Sequence, residues 1–191
     1  MIRYTAGWSW QEHRSFPGLG FLTRQTSLHR KSEASPADPD DDLEDLTVEI
    51  NEDPAIMNAS TNKSLACTQY VVYSPTFQVP AFYFTVHDEH GSPLPLADLV
   101  QTSLFRSGAL PLDELTSFGL SSPTSTFPLL SQGDHPTLGT PAWFFHPCET
   151  SRAVGEVMGE IEQERWTETE RLAQWLKSWF MVLSNVVDLS Y

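Results

Sequence analysis

The sequence predicts an α+β fold in which a four-stranded antiparallel sheet in meander order is covered by C-terminal helices. Three observations predict it. Most of the runs rich in β-branched and aromatic residues fall before Val86, a sustained helical periodicity appears only after Ser151, and 191 residues suffice for one core rather than two. Residues 1–191 are therefore read as a single domain, interrupted by an acidic insertion at 32–62 that is expected to be disordered.

The elements follow in order along the chain. Trp8 and Trp10 alternate with small or polar neighbours, and Gly18-Leu19-Gly20-Phe21-Leu22 resumes an extended pattern after Phe16-Pro17-Gly18, so the two segments form a hairpin. Cys67 to Tyr73 and Ala81 to Val86 are the next two strands, separated by a turn at Ser74-Pro75-Thr76. The sheet ends at His90-Gly91-Ser92-Pro93, and Leu96 to Phe105 is expected as a short helix. A Ser/Thr/Pro-rich stretch then runs to about Pro128 and is expected to be irregular, with Ala142-Trp143-Phe144-Phe145 as a short buried strand after it. From Ser151 to about Val187 the pattern is helical, divided by a capping box at Thr167-x-x-Glu170. Leu172, Trp175, Leu176, Trp179, Phe180 and Leu183 share one helical face, which is expected to cover the sheet.

Charge narrows the function. With 25 acidic against 11 basic residues the net charge is −14, which excludes the phosphate backbone of a nucleic acid as a natural ligand and favours protein partners with basic patches. No Lys or Arg occurs from Ser32 to Asn62, where Asp38, Asp40, Asp41, Asp42, Glu44 and Asp45 crowd together. The sequence has no signal-peptide pattern and no apolar run of membrane-spanning length, and its two cysteines match no disulfide framework or zinc spacing. A cytoplasmic protein with free thiols, no metal and no cofactor is expected, since a phosphate-binding glycine loop is also missing.

The chemistry concentrates at His146-Pro147-Cys148. Pro147 fixes its own φ and holds His146 extended, while Thr150 or Ser151 is suited to cap the helix that follows. Cys148 then lies within a turn of unsatisfied backbone N–H groups, a setting that favours a thiolate and a developing oxyanion. The competing reading is a buried structural cysteine. Cys67, at the start of a strand, reads as a small core residue. Cys148 also suits a thiol hydrolase with His135 or His146 as base, which requires the imidazole within hydrogen-bond reach of the sulfur.

A sheet, a long loop, a cysteine just after His-Pro and then helices: this order resembles the ubiquitin-conjugating-enzyme superfamily. More narrowly, Gln132-Gly133-Asp134-His135-Pro136, Trp143-Phe144-Phe145-His146-Pro147-Cys148-Glu149-Thr150, Tyr73-Ser74-Pro75-Thr76-Phe77-Gln78-Val79-Pro80-Ala81-Phe82-Tyr83-Phe84 and Gly18-Leu19-Gly20-Phe21-Leu22 are similar to the autophagy-related protein ten family. The resemblance implies a ubiquitin-conjugating-enzyme-like fold and Cys148 as a nucleophile; the fold's first helix has no counterpart ahead of Trp8, and is expected either to be absent or to lie upstream of Met1. That cysteine would take a thioester from the activating enzyme, autophagy-related protein seven. The acyl group would be autophagy-related protein twelve, a ubiquitin-like protein, and the acceptor a lysine of autophagy-related protein five. An oxyanion-stabilising Asn has no counterpart, because no Asn lies between Asn62 and Asn185. His146, His135, Gln132, Tyr83 and the backbone after Cys148 are the candidates for that role. By the same resemblance the acidic insertion is expected to dock the activating enzyme, and the protein to work at the autophagosome assembly site. The alternatives left open are the sister family, which conjugates a ubiquitin-like protein to lipid, and a non-catalytic binding module of the same fold.

Overall fold

In the computed structural model, which describes residues 7–13, 16, 18–31, 64–122, 127–161 and 163–190, seven strands form one antiparallel sheet. They are β1 (Ser9–Gln11), β2 (Phe21–Leu28), β3 (Leu65–Ser74), β4 (Val79–His87), β5 (Gly119–Leu120), β6 (Leu130–Asp134) and β7 (Pro141–Phe145), in the order β1-β2-β3-β4-β7-β6-β5. The first four form the expected meander, in register from Phe21↔Val72 to Leu28↔Leu65 and from Ala66↔His87 to Ser74↔Val79. Three further strands correct the expectation of four. β7 coincides with the run read as a strand, whereas β5 and β6 contain Gly119, Ser131, Gln132, Gly133 and Asp134, residues without β-propensity that pair through their backbones. The acidic insertion at 32–62 and the segment ahead of Gly7 lie outside the described residues.

Side chains of the central strands alternate between two faces. Leu65, Cys67 and Val71 of β3 and Phe82, Phe84 and Val86 of β4 point inward, into the main core. Phe21, Val72, Ala81, Tyr83 and Ala142 form a smaller cluster on the outer face. Three helices accompany the sheet: α1 (Leu96–Leu99), α2 (Pro147–Ile161) and α3 (Glu168–Leu183). Of the expected helix from Leu96 to Phe105 only its first turn is helical; beyond it Phe105 is bridged instead to Val187, and Leu104 and Phe105 are buried there.

α3 begins as expected. Thr167 accepts from the Glu170 N–H, and the Glu170 carboxylate accepts from the Thr167 N–H at 2.8 Å, closing the capping box. Its apolar stripe divides in two: Trp179, Phe180 and Leu183 are buried on the core, while Leu172 is 56% exposed and Trp175 and Leu176 are half-buried. Burying each of the large side chains contributes about 1.5–3 kcal/mol. One buried cation was not legible in the strand pattern. Arg24 donates to the Gln69 carboxamide oxygen at 2.7 and 3.1 Å and to the Leu189 carbonyl at 3.2 Å, and lies 5.0 Å from the Trp8 ring centre, tying the C-terminal segment to β2 and β3.

Candidate active site

β7 delivers the chain to the site. Phe145 is buried in the core, the His146 N–H donates to the Leu129 carbonyl at 3.1 Å, and α2 starts at the next residue. Pro147 opens the helix because the first helical position needs no N–H partner and proline is already set to helical φ. This corrects the expected start of the helix: Thr150 and Ser151 lie inside it rather than capping it, and Cys148 belongs to its first turn. Pro147 has no N–H and that of His146 goes to Leu129, so the first-turn N–H groups at this helix end are those of Cys148 and Glu149, and the sulfur stands beside their positive potential.

Val154 and Met158 hold α2 on the core. Cys148 and Arg152 share a different face, one turn apart, with the thiol part-exposed and Arg152 exposed. The thiol forms part of the wall of a groove of about 560 Å³, whose other walls are Ala109, Pro111, Phe127, Pro128, Leu129 and Val186, with Ser122, His146 and Arg152 as its polar members. His146 packs between two rings. Phe127 stacks on it at 4.7 Å and 6°, and Phe77 meets it edge-on at 5.1 Å and 72°. Phe77 comes from the β3–β4 turn, which is closed by the Gln78 N–H on the Ser74 carbonyl at 2.8 Å with Gln78 at φ 56°.

The remaining sequence candidates are not brought to the thiol. β7 pairs with β4 only at Tyr83↔Phe144 and Phe84↔Trp143, and beyond them the β6–β7 turn packs over the outer face of the sheet. There Thr137 donates to the Leu19 carbonyl, and His135 packs against Phe21 at 4.9 Å, Tyr70 at 4.7 Å and Tyr83 at 5.6 Å. The His135 Nδ1 accepts from the Thr137 and Leu138 N–H groups at 3.2 and 3.1 Å, which puts the ring proton on Nε2, among aromatic faces. Burial without an anionic partner pushes its pKa down to about 4, so the ring is neutral. Tyr83 stacks on Phe144 in the same cluster. Gln132 lines a separate groove with Leu94, Leu96 and Trp143.

The two cysteines are opposites. Cys67 is 2% exposed, and burial pushes its thiol up to about 12 despite Gln69 and Arg24 nearby, whereas Cys148 reaches the surface. Residues the sequence did not single out include Ser122, Phe127 and Arg152. Only Arg152 carried a signal, its four-residue spacing from Cys148; the others arrive from distant loops. Among the described residues, no group of three or more His, Cys, Asp and Glu is arranged to hold a metal ion.

Comparison with known proteins agrees with this geometry. Residues 1–190 match the family described as autophagocytosis associated protein, active-site domain. The chain is 26% identical over 135 residues to a human protein named ubiquitin-like-conjugating enzyme ATG10, a match covering 71% of this chain and 54% of that protein. Proteins of the same name from Dictyostelium discoideum and Arabidopsis thaliana are 26% and 27% identical, over 62% and 63% of this chain and 49% and 48% of their own lengths. The chain thus spans about half the length of the curated relatives it matches. With a family match running through the helix that carries Cys148, and three relatives of one name, the chain belongs to the autophagocytosis-associated active-site family, among its ATG10-type members.

Proposed function

We propose that this protein is an acyl carrier of autophagy that holds a ubiquitin-like protein on Cys148 as a thioester and passes it to a lysine amine. The observation that carries the reading is the contrast between two thiols: Cys148 part-exposed in the first turn of α2, Cys67 sealed in the core. In loading, the Cys148 thiolate attacks the donor thioester carbonyl, the new sulfur–carbon bond forms, and the activating enzyme's thiolate leaves. In transfer, a neutral lysine amine attacks the Cys148 thioester carbonyl, the carbon–sulfur bond breaks with Cys148 leaving as thiolate, and the proton shed by the attacking nitrogen passes to water as the amide forms. Each step passes through an oxyanion, which the N–H groups at the start of α2 are suited to receive, with Ser122 as a further donor. His146, clamped by Phe77 and Phe127, braces the turn that presents the sulfur. His135, in its aromatic cluster on the outer face, takes no part; this argues against a hydrolase that uses it as a base.

The names of the relatives support conjugation of a ubiquitin-like protein; the partners we propose for it are autophagy-related protein seven as activating enzyme, autophagy-related protein twelve as donor and a lysine of autophagy-related protein five as acceptor. Among the described residues no helix is long and apolar enough to cross a membrane. Incubation with that activating enzyme, ATP and each of the two autophagy ubiquitin-like proteins tests the proposal. An adduct with type twelve that is cleaved by thiol reductant, lost in Cys148→Ala and kept in Cys67→Ala, is expected. An adduct formed equally well by Cys148→Ala would overturn it.

A further inference from the structure

A second groove adjoins the loop that follows α1. Successive residues of that loop divide between two sites: Ala109 and Pro111 line the Cys148 groove, whereas Leu110 and Leu112 line a separate hollow of about 200 Å³. Val100 and Phe105 are its buried floor, and Lys31 and Arg106 are its charged members. Both are cations, on a chain whose net charge is −14, and no carboxylate is among the lining residues. The backbone fixes where they stand. The Lys31 N–H donates to the Gln101 carbonyl at 2.8 Å, the Arg106 N–H to the Val186 carbonyl at 2.8 Å, and the Arg106 Nε to the Ser184 carbonyl. Those acceptors are neutral, so the groove keeps an apolar floor under positive charge.

We infer that this groove docks the chain's own acidic segment at 38–50, which lies outside the described residues. That segment carries both chemistries the groove asks for. Asp42, Glu44 and Asp45 supply carboxylates for Lys31 and Arg106, and Leu46, Val48 and Ile50, which follow at alternate positions, supply apolar side chains for the floor. Its place in the chain favours it over any other acidic partner. The insertion leaves the sheet just after Lys31 and returns at Leu65, which pairs with Leu28, so both of its ends are fixed beside the groove. The chain from Lys31 to Leu46 spans roughly 50 Å when extended, more than a return to a wall that includes Lys31 requires. A tether of this kind gives an effective concentration on the order of millimolar, which an acidic peptide of another protein has to exceed. Ion pairs at an exposed rim are weak singly, and the apolar contacts beneath them add the rest.

Hydrogen–deuterium exchange of the full chain reads the groove through peptides covering 100–112, with no donor or activating enzyme present, so the outcome is independent of the acyl-carrier reading. Two variants confined to the segment leave every described residue as it is. Leu46→Ser/Val48→Ser/Ile50→Ser removes the apolar side chains and keeps the charge, and Asp42→Asn/Glu44→Gln/Asp45→Asn does the reverse. Each should speed exchange over 100–112 by at least about threefold, with β4 and β7 unchanged. Protection in the wild type should be the same at about 1 µM and at about 50 µM protein, as a tethered segment requires. Wild-type exchange rates in either variant overturn the proposal. Protection that disappears at the lower concentration also overturns it, because the occupant is then a second copy of the chain.

Discussion

The two cysteines show how far environment separates identical side chains. Cys67 is walled in by the core and pushed up to about 12, so it stays a thiol at any ordinary pH and has no path to reagent. Iodoacetamide at neutral pH should therefore modify Cys148 alone in the native protein, and both cysteines after unfolding; peptide mapping reads the result. His135 makes the second residue-scale prediction. Its folded value of about 4 lies below the ordinary 6.5, so below pH 6.5 the unfolded chain binds a proton that the folded chain refuses. Its contribution is fully present above pH 6.5 and is lost as pH falls toward 4, by up to about 3 kcal/mol. Denaturant midpoints measured across that window should slope less steeply in His135→Gln than in the wild type. Some slope remains, because Glu170 is also held below the usual carboxylate range by its bonds to Thr167 and weakens in the same direction on acidification.

Elements stand or fall on smaller details. The capping box at the start of α3 was legible in the sequence because its four residues act locally, and both of its bonds are formed. Thr167→Ala should cost about 1 kcal/mol in urea unfolding, with an unchanged dependence on denaturant concentration. The β1–β2 hairpin depends on Gly20, where a Cβ would come within 2.2 Å of the Trp10 ring and 2.9 Å of the Gln11 carbonyl oxygen. Gly20→Ala should therefore displace Trp10 and release β1, seen as faster amide exchange over Ser9–Gln11 with β3 and β4 unaffected. The strands that the sequence did not reveal are those whose pairing has no side-chain signature. β6 offers Ser131, Gln132, Gly133 and Asp134, and only the ladder to β7 makes a strand of them. The sequence pattern places the start of α2 a few residues late for a related reason. Thr150 and Ser151 are good capping types, but Pro147 already supplies helical φ at the first position, and the helix extends back to it.

At the scale of the whole molecule, the sequence pattern located the nucleophile but not the chamber around it. His146-Pro147-Cys148 is contiguous and could be read directly, whereas Ala109, Ser122, Phe127 and Val186 meet it only because the loop after α1, the approach to β6 and the C-terminal segment fold against α2. His135 illustrates the converse. Its sequence neighbourhood suggested chemistry, yet the β6–β7 turn carries it onto the outer face, where it fills an aromatic cluster. Integrity of the fold as a whole rests on residues such as Trp179, 1% exposed and packed edge-on against Phe180. Trp179→Ala should cost about 3–5 kcal/mol, much of the stability of a domain this size, while the exposed Leu172→Ala on the same helix should change it by less than about 0.5 kcal/mol; paired denaturation curves check both. That Cys148 is the acyl carrier is tested by intact mass combined with peptide mapping of the charged protein. One donor attached per chain is expected, on the peptide that holds Cys148 and released by hydroxylamine. A donor found on Cys67, or on a lysine through a hydroxylamine-resistant bond as the first product, would contradict it.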